Sequence, residues 1–110
     1  MRHYPRTDNN QDAIVEAFRA AGATVLSLAA MGKGCPDLIV GYSAGGRGVN
    51  LLVEVKDGSK PPSKRRLSAD QVRWHAEWRG QVCVVKSVEE ALKLLHDRTP
   101  ALERAGKGER

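Results

Sequence analysis

Asp37, Glu54 and Lys56 are the residues whose types and spacing carry chemistry. Asp37 follows Pro36 and opens the apolar run DLIVG, and Glu54 and Lys56 sit near the end of LLVEVK. Side chains alternate across a strand, so Glu54 and Lys56 share one face while Val53 and Val55 take the other. If the two runs pair, Asp37 comes near Glu54. Two carboxylates held close on strands suit a hard divalent cation such as Mg²⁺, which resolves their repulsion. A lysine beside that cation can orient a water or stabilise charge on a pentacovalent phosphate. The cation itself acidifies a bound water. The three residues together describe metal-dependent phosphodiester hydrolysis. A lone Glu-x-Lys on a strand is more often an exposed pair, and an aspartate after proline often only starts a strand. The weight comes from the combination with the basic segment and the element order that surround them.

Those elements read in the order α-β-β-β-α-β-α. A helical pattern runs from about Asn10 to Ala21, with Ile14, Val15 and Phe18 on one apolar face, Asp8 or Asn9 as a cap and Gly22 as a stop. Strands are predicted at Ala23–Leu28, Asp37–Gly41 and Leu51–Lys56. AAMGKGCP reads as a flexible crossing loop, and YSAGGRGVN, with three glycines, as the connection of a hairpin. DGSKPPSKRRL is a Pro-rich basic loop. Ser68 and Gln71 have capping-box spacing and open a helix to about Arg79. Gln81–Val85 is a last strand, and Ser87 with Glu90 opens a last helix to about His96. Helices at both ends of a small central sheet make an α/β sandwich. The Ser68 helix supplies the crossover that a parallel last strand needs. Residues 1–9 read as a loose arm, 10–96 as the domain, and 97–110 as a charged tail.

Composition bounds the partners. The chain has 110 residues, 41% of them hydrophobic, and 18 Lys plus Arg against 13 Asp plus Glu give a net charge of +5. One domain with that balance favours polyanions, nucleic acid first. No apolar run approaches the ~20 residues of a membrane span, so no membrane partner is expected. No secretory leader pattern opens the chain, and two cysteines make neither a disulfide framework nor a four-ligand zinc site, so a cytoplasmic setting is expected. Lys60, Lys64, Arg65 and Arg66 follow the carboxylate–lysine motif directly and read as a DNA-backbone clamp, with Lys33 as a further phosphate contact. Gly32-x-Gly34 is not a dinucleotide fingerprint. Trp74 and Trp78, four apart on one helix, read as core or dimer contacts rather than base-stacking platforms. His75 reads as a surface or packing residue, and Cys35 and Cys83 as packing residues. Gln71 has two readings, capping partner of Ser68 or member of the site.

Pro36-Asp37 followed by Glu54-x-Lys56 resembles the motif of the PD-(D/E)xK nuclease superfamily. The stretch from Asn10 to about Leu95 more specifically resembles the virus-type replication-repair nuclease domain, VRR-NUC. The residues that carry the likeness are Gln11, Ile14, Val15 and Gly22; then Gly32–Leu38; then Leu52–Gly58; then Leu67-Ser68-x-x-Gln71 with Trp74 and Trp78. The resemblance implies a restriction-endonuclease-like core with a small mixed sheet. It implies a Mg²⁺- or Mn²⁺-dependent endonuclease selective for branched DNA, similar to Holliday-junction resolvases, acting as a homodimer. A phage or prophage origin inside a bacterial host follows from the same likeness. It also implies that Asp37, Glu54 and the main-chain carbonyl of Val55 hold the metal, and that Gln71 faces the site. Related enzymes carry a glutamate on the first helix; Gln11 fills that slot here by spacing, with Glu16 the alternative. The neutral Gln11 keeps a non-catalytic DNA-binding module in view. A monomeric nuclease of flaps, nicks or ends would use the same motif.

Overall fold

The computed structural model describes residues 10–98. Helix α1 (Gln11–Ala20) leads into strand β1 (Thr24–Ser27), and a short 3₁₀ turn (Ala29–Met31) precedes β2 (Leu38–Ala44) and β3 (Arg47–Val55). Helices α2 (Pro62–Arg65) and α3 (Ala69–Glu77), strand β4 (Cys83–Val85) and helix α4 (Val88–Arg98) complete the order. The predicted order holds, with α2 added inside the basic loop. The loose arm and most of the charged tail lie outside the described residues, as do Asp8 and Asn9.

The sheet has four strands in the order β1-β2-β3-β4. The first two pairings are antiparallel, and β3 meets β4 in parallel across the crossover that α3 provides. The hairpin is tighter than its glycine content implies. Only Gly45 and Gly46 form the turn, both at positive φ (60° and 80°) as a two-residue turn with primed geometry requires. Pairing therefore runs to Ala44↔Arg47, and Ser43 and Gly48 are strand residues.

Alternation decides which face is buried. Leu38, Val40, Leu51, Val53 and Val55 point to one side and are at most 2% exposed. Ile14 and Phe18 of α1 and Ala91 and Leu95 of α4 close over them. The periodic apolar faces of the two terminal helices thus form one layer on one face of the sheet. The other face carries Ile39, Leu52 and Glu54, and α3 lies toward its Glu54 end.

Candidate active site

Antiparallel register places Leu38 opposite Val53. One step further along both strands, Asp37 stands beside Glu54 on the face away from the helical layer. Strand parity and register thus bring Asp37 and Glu54 together in three dimensions. Asp37 lies just outside the ladder, where its Oδ2 accepts the Val55 N–H at 2.7 Å. That bond locks the carboxylate to the partner strand and satisfies an N–H on the β2 side of β3, just past the last paired residues Leu38 and Val53.

Glu54 is no exposed ladder residue. It is 1% exposed, in a strand whose flanking Val53 and Val55 fill the core. A buried carboxylate needs paired and hydrogen-bonded surroundings. Gln71 Nε2 donates to Glu54 Oε2 at 2.9 Å, and Lys56 Nζ stands 3.9 Å from the same oxygen. Lys56 Nζ also donates to Gln71 Oε1 at 2.9 Å. The glutamine amide thus bridges the two charged residues, its nitrogen on the anion and its oxygen on the cation.

Gln71 both caps α3 and reaches Glu54 and Lys56. Its Oε1 accepts the Ser68 N–H at 2.9 Å and its backbone N–H donates to Ser68 Oγ at 3.2 Å, which completes the capping box of α3. One side chain caps the helix and ties that helix to the carboxylate–lysine pair. The second predicted box is displaced. Glu90 N–H donates to Ser87 Oγ as expected, but the Glu90 carboxylate takes the N–H of Lys86, one residue before the cap.

Gln11 is 7% exposed, and its Oε1 is buried without a hydrogen-bond partner, whereas Glu16 lies on the exposed face of the same helix. The preceding residue, Asn10, is tied to the carbonyl of Lys56 at 3.1 Å. The start of α1 therefore sits against the end of β3, and burial favours Gln11 over Glu16 for the first-helix slot.

Two neighbours were not legible as site residues. Burial raises the Cys35 thiol above its ordinary pKa, and the negative charges of Glu54 and Asp37 raise it further. The thiol is therefore neutral near pH 7 and stands within the field of both carboxylates. Its place directly before Pro36-Asp37 is the signal that could have found it. Gly34, at φ +83°, lies against the first turn of α3: an added Cβ would collide with the Asp70 carbonyl and come within 2.9 Å of Gln71 N. Gly34 is thus a packed joint between the Asp37 loop and the Gln71 helix, and the exposed Lys33 before it holds φ +56°, rare for a residue with a Cβ.

The basic residues separate. Lys33, Lys64 and Arg66 are exposed, while Lys60 and Arg65 are half-buried. The segment that carries the last four leaves the site after Lys56 and returns to it at Gln71. Pro61 and Pro62 start α2 there, since a proline in the first turn loses no helical hydrogen bond. Arg65 turns back, 3.5 Å from the Gly58 carbonyl. A cavity of about 560 Å³ opens beside Asn10, Asp57 and Gly58, and none of Asp37, Glu54, Lys56 and Gln71 lines it. The tryptophans are not core: their rings stack at 4.7 Å, and Trp78 is 46% exposed. His75 is half-buried, held below its ordinary pKa by burial first and by the Lys56 charge second.

Among the described residues no group of three or more His, Cys, Asp or Glu is placed to hold a metal ion. The oxygen donors at this end of β3 are instead the Asp37 and Glu54 carboxylates and the Val55 carbonyl, and Gln11 carries a further buried oxygen without a hydrogen-bond partner at the start of α1. This all-oxygen set fits a hard cation and gives no thiolate or imidazole to a softer one.

An Asp just before one strand, a Glu-x-Lys closing its neighbour and a helix-borne glutamine across them, on a mixed sheet backed by two helices, are the arrangement expected of a nuclease of the PD-(D/E)xK kind. The comparisons with known proteins agree. A solved structure described as a VRR_NUC domain aligns with probability 1.00 and a TM-score of 0.55, at 35% sequence identity over 78% of this chain and 89% of that one. The chain belongs to the VRR_NUC family. No family model matches it, and no curated protein does.

Proposed function

We propose that this domain is a Mg²⁺- or Mn²⁺-dependent endonuclease that hydrolyses phosphodiester bonds in branched DNA. The observation that supports the reading best is the closed network around Glu54. A carboxylate that is 1% exposed is paired with Lys56, bridged by Gln71 and placed next to Asp37. Such an arrangement brings two anions together without neutralising both, as a cation site requires.

Asp37 and Glu54 would hold the ion, with the Val55 carbonyl and Gln11 Oε1 as neutral donors. The ion supplies Lewis acidity toward a phosphate oxygen and acidifies water. Lys56 is held by Gln71, so its ammonium stays at the mouth of the pair rather than swinging into solvent. From there it orients the attacking water or stabilises the extra negative charge on the phosphoryl oxygens. Gln71 keeps Lys56 and Glu54 in register and carries no charge of its own. Lys60, Lys64, Arg65, Arg66 and Lys33 bind the DNA backbone.

Selectivity in this reading comes from shape, because among the described residues no helix is presented for base reading and the basic segment connects Lys56 to the Gln71 helix. A homodimer with two such centres is the form suited to a four-way junction. The neutral Gln11 favours, as the second reading, a module that binds DNA without cutting it. Incubation with Mg²⁺ or Mn²⁺ and labelled linear duplex, single strand, flap, splayed-arm and four-way substrates tests both. Paired symmetric cuts in the junction support the first. Cuts restricted to flaps or ends point to a monomeric nuclease, and binding without cutting with either metal supports the module.

A further inference from the structure

Asn10 occupies the N-cap position of α1, and asparagine is among the best capping residues. Its side chain makes no capping bond to its own helix. Nδ2 donates instead to two carbonyls, Lys56 at 3.1 Å and Lys86 at 2.9 Å, which are 46 and 76 positions away. Those residues directly follow the last paired residues of β3 and β4. The pairing frays into a loop there, held by Lys56 N–H to Val85 O and Gly58 N–H to Lys86 O, both at 3.0 Å. Both hydrogens of one amide are thus spent on the two strand ends. The orientation is not arbitrary, since a flipped amide would set Oδ1 against two carbonyl oxygens.

The neighbours on either side of this clamp are the site residues. Lys56 is the proposed charge-stabilising group, and Gln11, next to Asn10, carries the orphaned buried oxygen. We propose that Asn10 is a positioning residue, which fixes the Lys56 main chain and the Gln11 side chain relative to one another at the end of β3. The inference rests on the nuclease reading for its consequence. The clamp itself rests only on the two hydrogen bonds. A glutamine without charge gains little from long-range attraction to a cation, so its carbonyl has to be aimed by the backbone that bears it.

The test uses the whole chain, with Asn10→Asp and Asn10→Ala beside Leu95→Ala. Leu95 is 2% exposed in α4 and serves as a control for stability loss in the core. Cleavage is measured at a temperature where circular dichroism shows all variants folded. Asn10→Asp, which removes the donor and faces two carbonyls with a carboxylate, is expected to lower kcat on the order of 10- to 100-fold with little change in KM. Leu95→Ala is expected to keep kcat. Amide hydrogen exchange reads the clamp without any cleavage: the Lys56 and Gly58 N–H groups should lose protection in Asn10→Asp, while the β2–β3 ladder keeps its own. A folded Asn10→Asp with wild-type kcat, or a kcat loss that Leu95→Ala reproduces, overturns the positioning role. Wild-type protein that cuts nothing refutes the nuclease reading instead, and unchanged Lys56 and Gly58 protection would then overturn the clamp on its own.

Discussion

Gln71→Ala separates a residue that merely caps a helix from one that also holds the active centre together. The change removes the donor to Glu54 Oε2 and the acceptor for Lys56 Nζ, each at 2.9 Å, together with the reciprocal half of the capping box. A hydrogen bond to a charged group is worth about 1.5–3 kcal/mol, and a cap about 1 kcal/mol. Lys56 already stands 3.9 Å from Glu54 Oε2 and can close on it, which recovers part of the loss. The net cost should be about 2–4 kcal/mol, and at ~4–8 °C per kcal/mol for a domain near this size the melting point should fall by roughly 8–32 °C. Ser68→Ala, which removes only the hydroxyl half of the cap, should cost about 1 kcal/mol. Urea unfolding of both variants gives the comparison. A cycle with Lys56→Met should add a coupling of about 0.5–3 kcal/mol between positions 56 and 71. If Gln71→Ala costs no more than Ser68→Ala, and the cycle shows no coupling, Gln71 is only a cap and the bridged network is refuted.

Two further outcomes follow from neighbouring geometry. Gly34→Ala should destabilise the protein by more than the ~1 kcal/mol of an ordinary positive-φ glycine, because the new Cβ meets the Asp70 carbonyl as well; Gly32→Ala, also at positive φ but with open space around it, is the comparison by thermal unfolding. His75 has its folded pKa depressed, so the unfolded chain binds its proton first as pH falls. Its neutral form is favourable above about pH 6.5, and stability should decline as pH drops below that value, a slope that His75→Gln should flatten in unfolding titrations.

The site was legible wherever chemistry and strand alternation coincide. Asp37, Glu54 and Lys56 declare themselves because parity and register alone bring them together. Ser68 and Gln71 declare themselves because a capping box is a local pattern. Parity also tells that Val53 and Val55 are core, but not that Glu54 is buried: that depends on α3 folding back across the open face of the sheet. The hairpin was underread because Ser43 and Gly48 have turn-like composition, while cross-strand pairing carries both into the ladder. Asn10 and Gly34 were invisible for a similar reason. Each acts through partners far along the chain, and a cap-forming asparagine or a loop glycine looks the same whether or not such partners exist. Cys35 offered only its place directly before Pro36-Asp37, since its position beside two carboxylates follows from the loop that Gly34 packs.

In the proposed function Asp37, Glu54 and Lys56 act as one metal-dependent cleavage centre. The most direct measurement is Mg²⁺-dependent cleavage of a labelled four-way junction by the wild type, Asp37→Asn, Glu54→Gln and Lys56→Ala, each checked for folding and for junction binding. Wild-type cutting should be abolished by chelator, and each variant should lose about 10²-fold or more of the activity with binding retained. Cutting that persists in folded Asp37→Asn or Lys56→Ala, or that proceeds unchanged in chelator, would contradict that function.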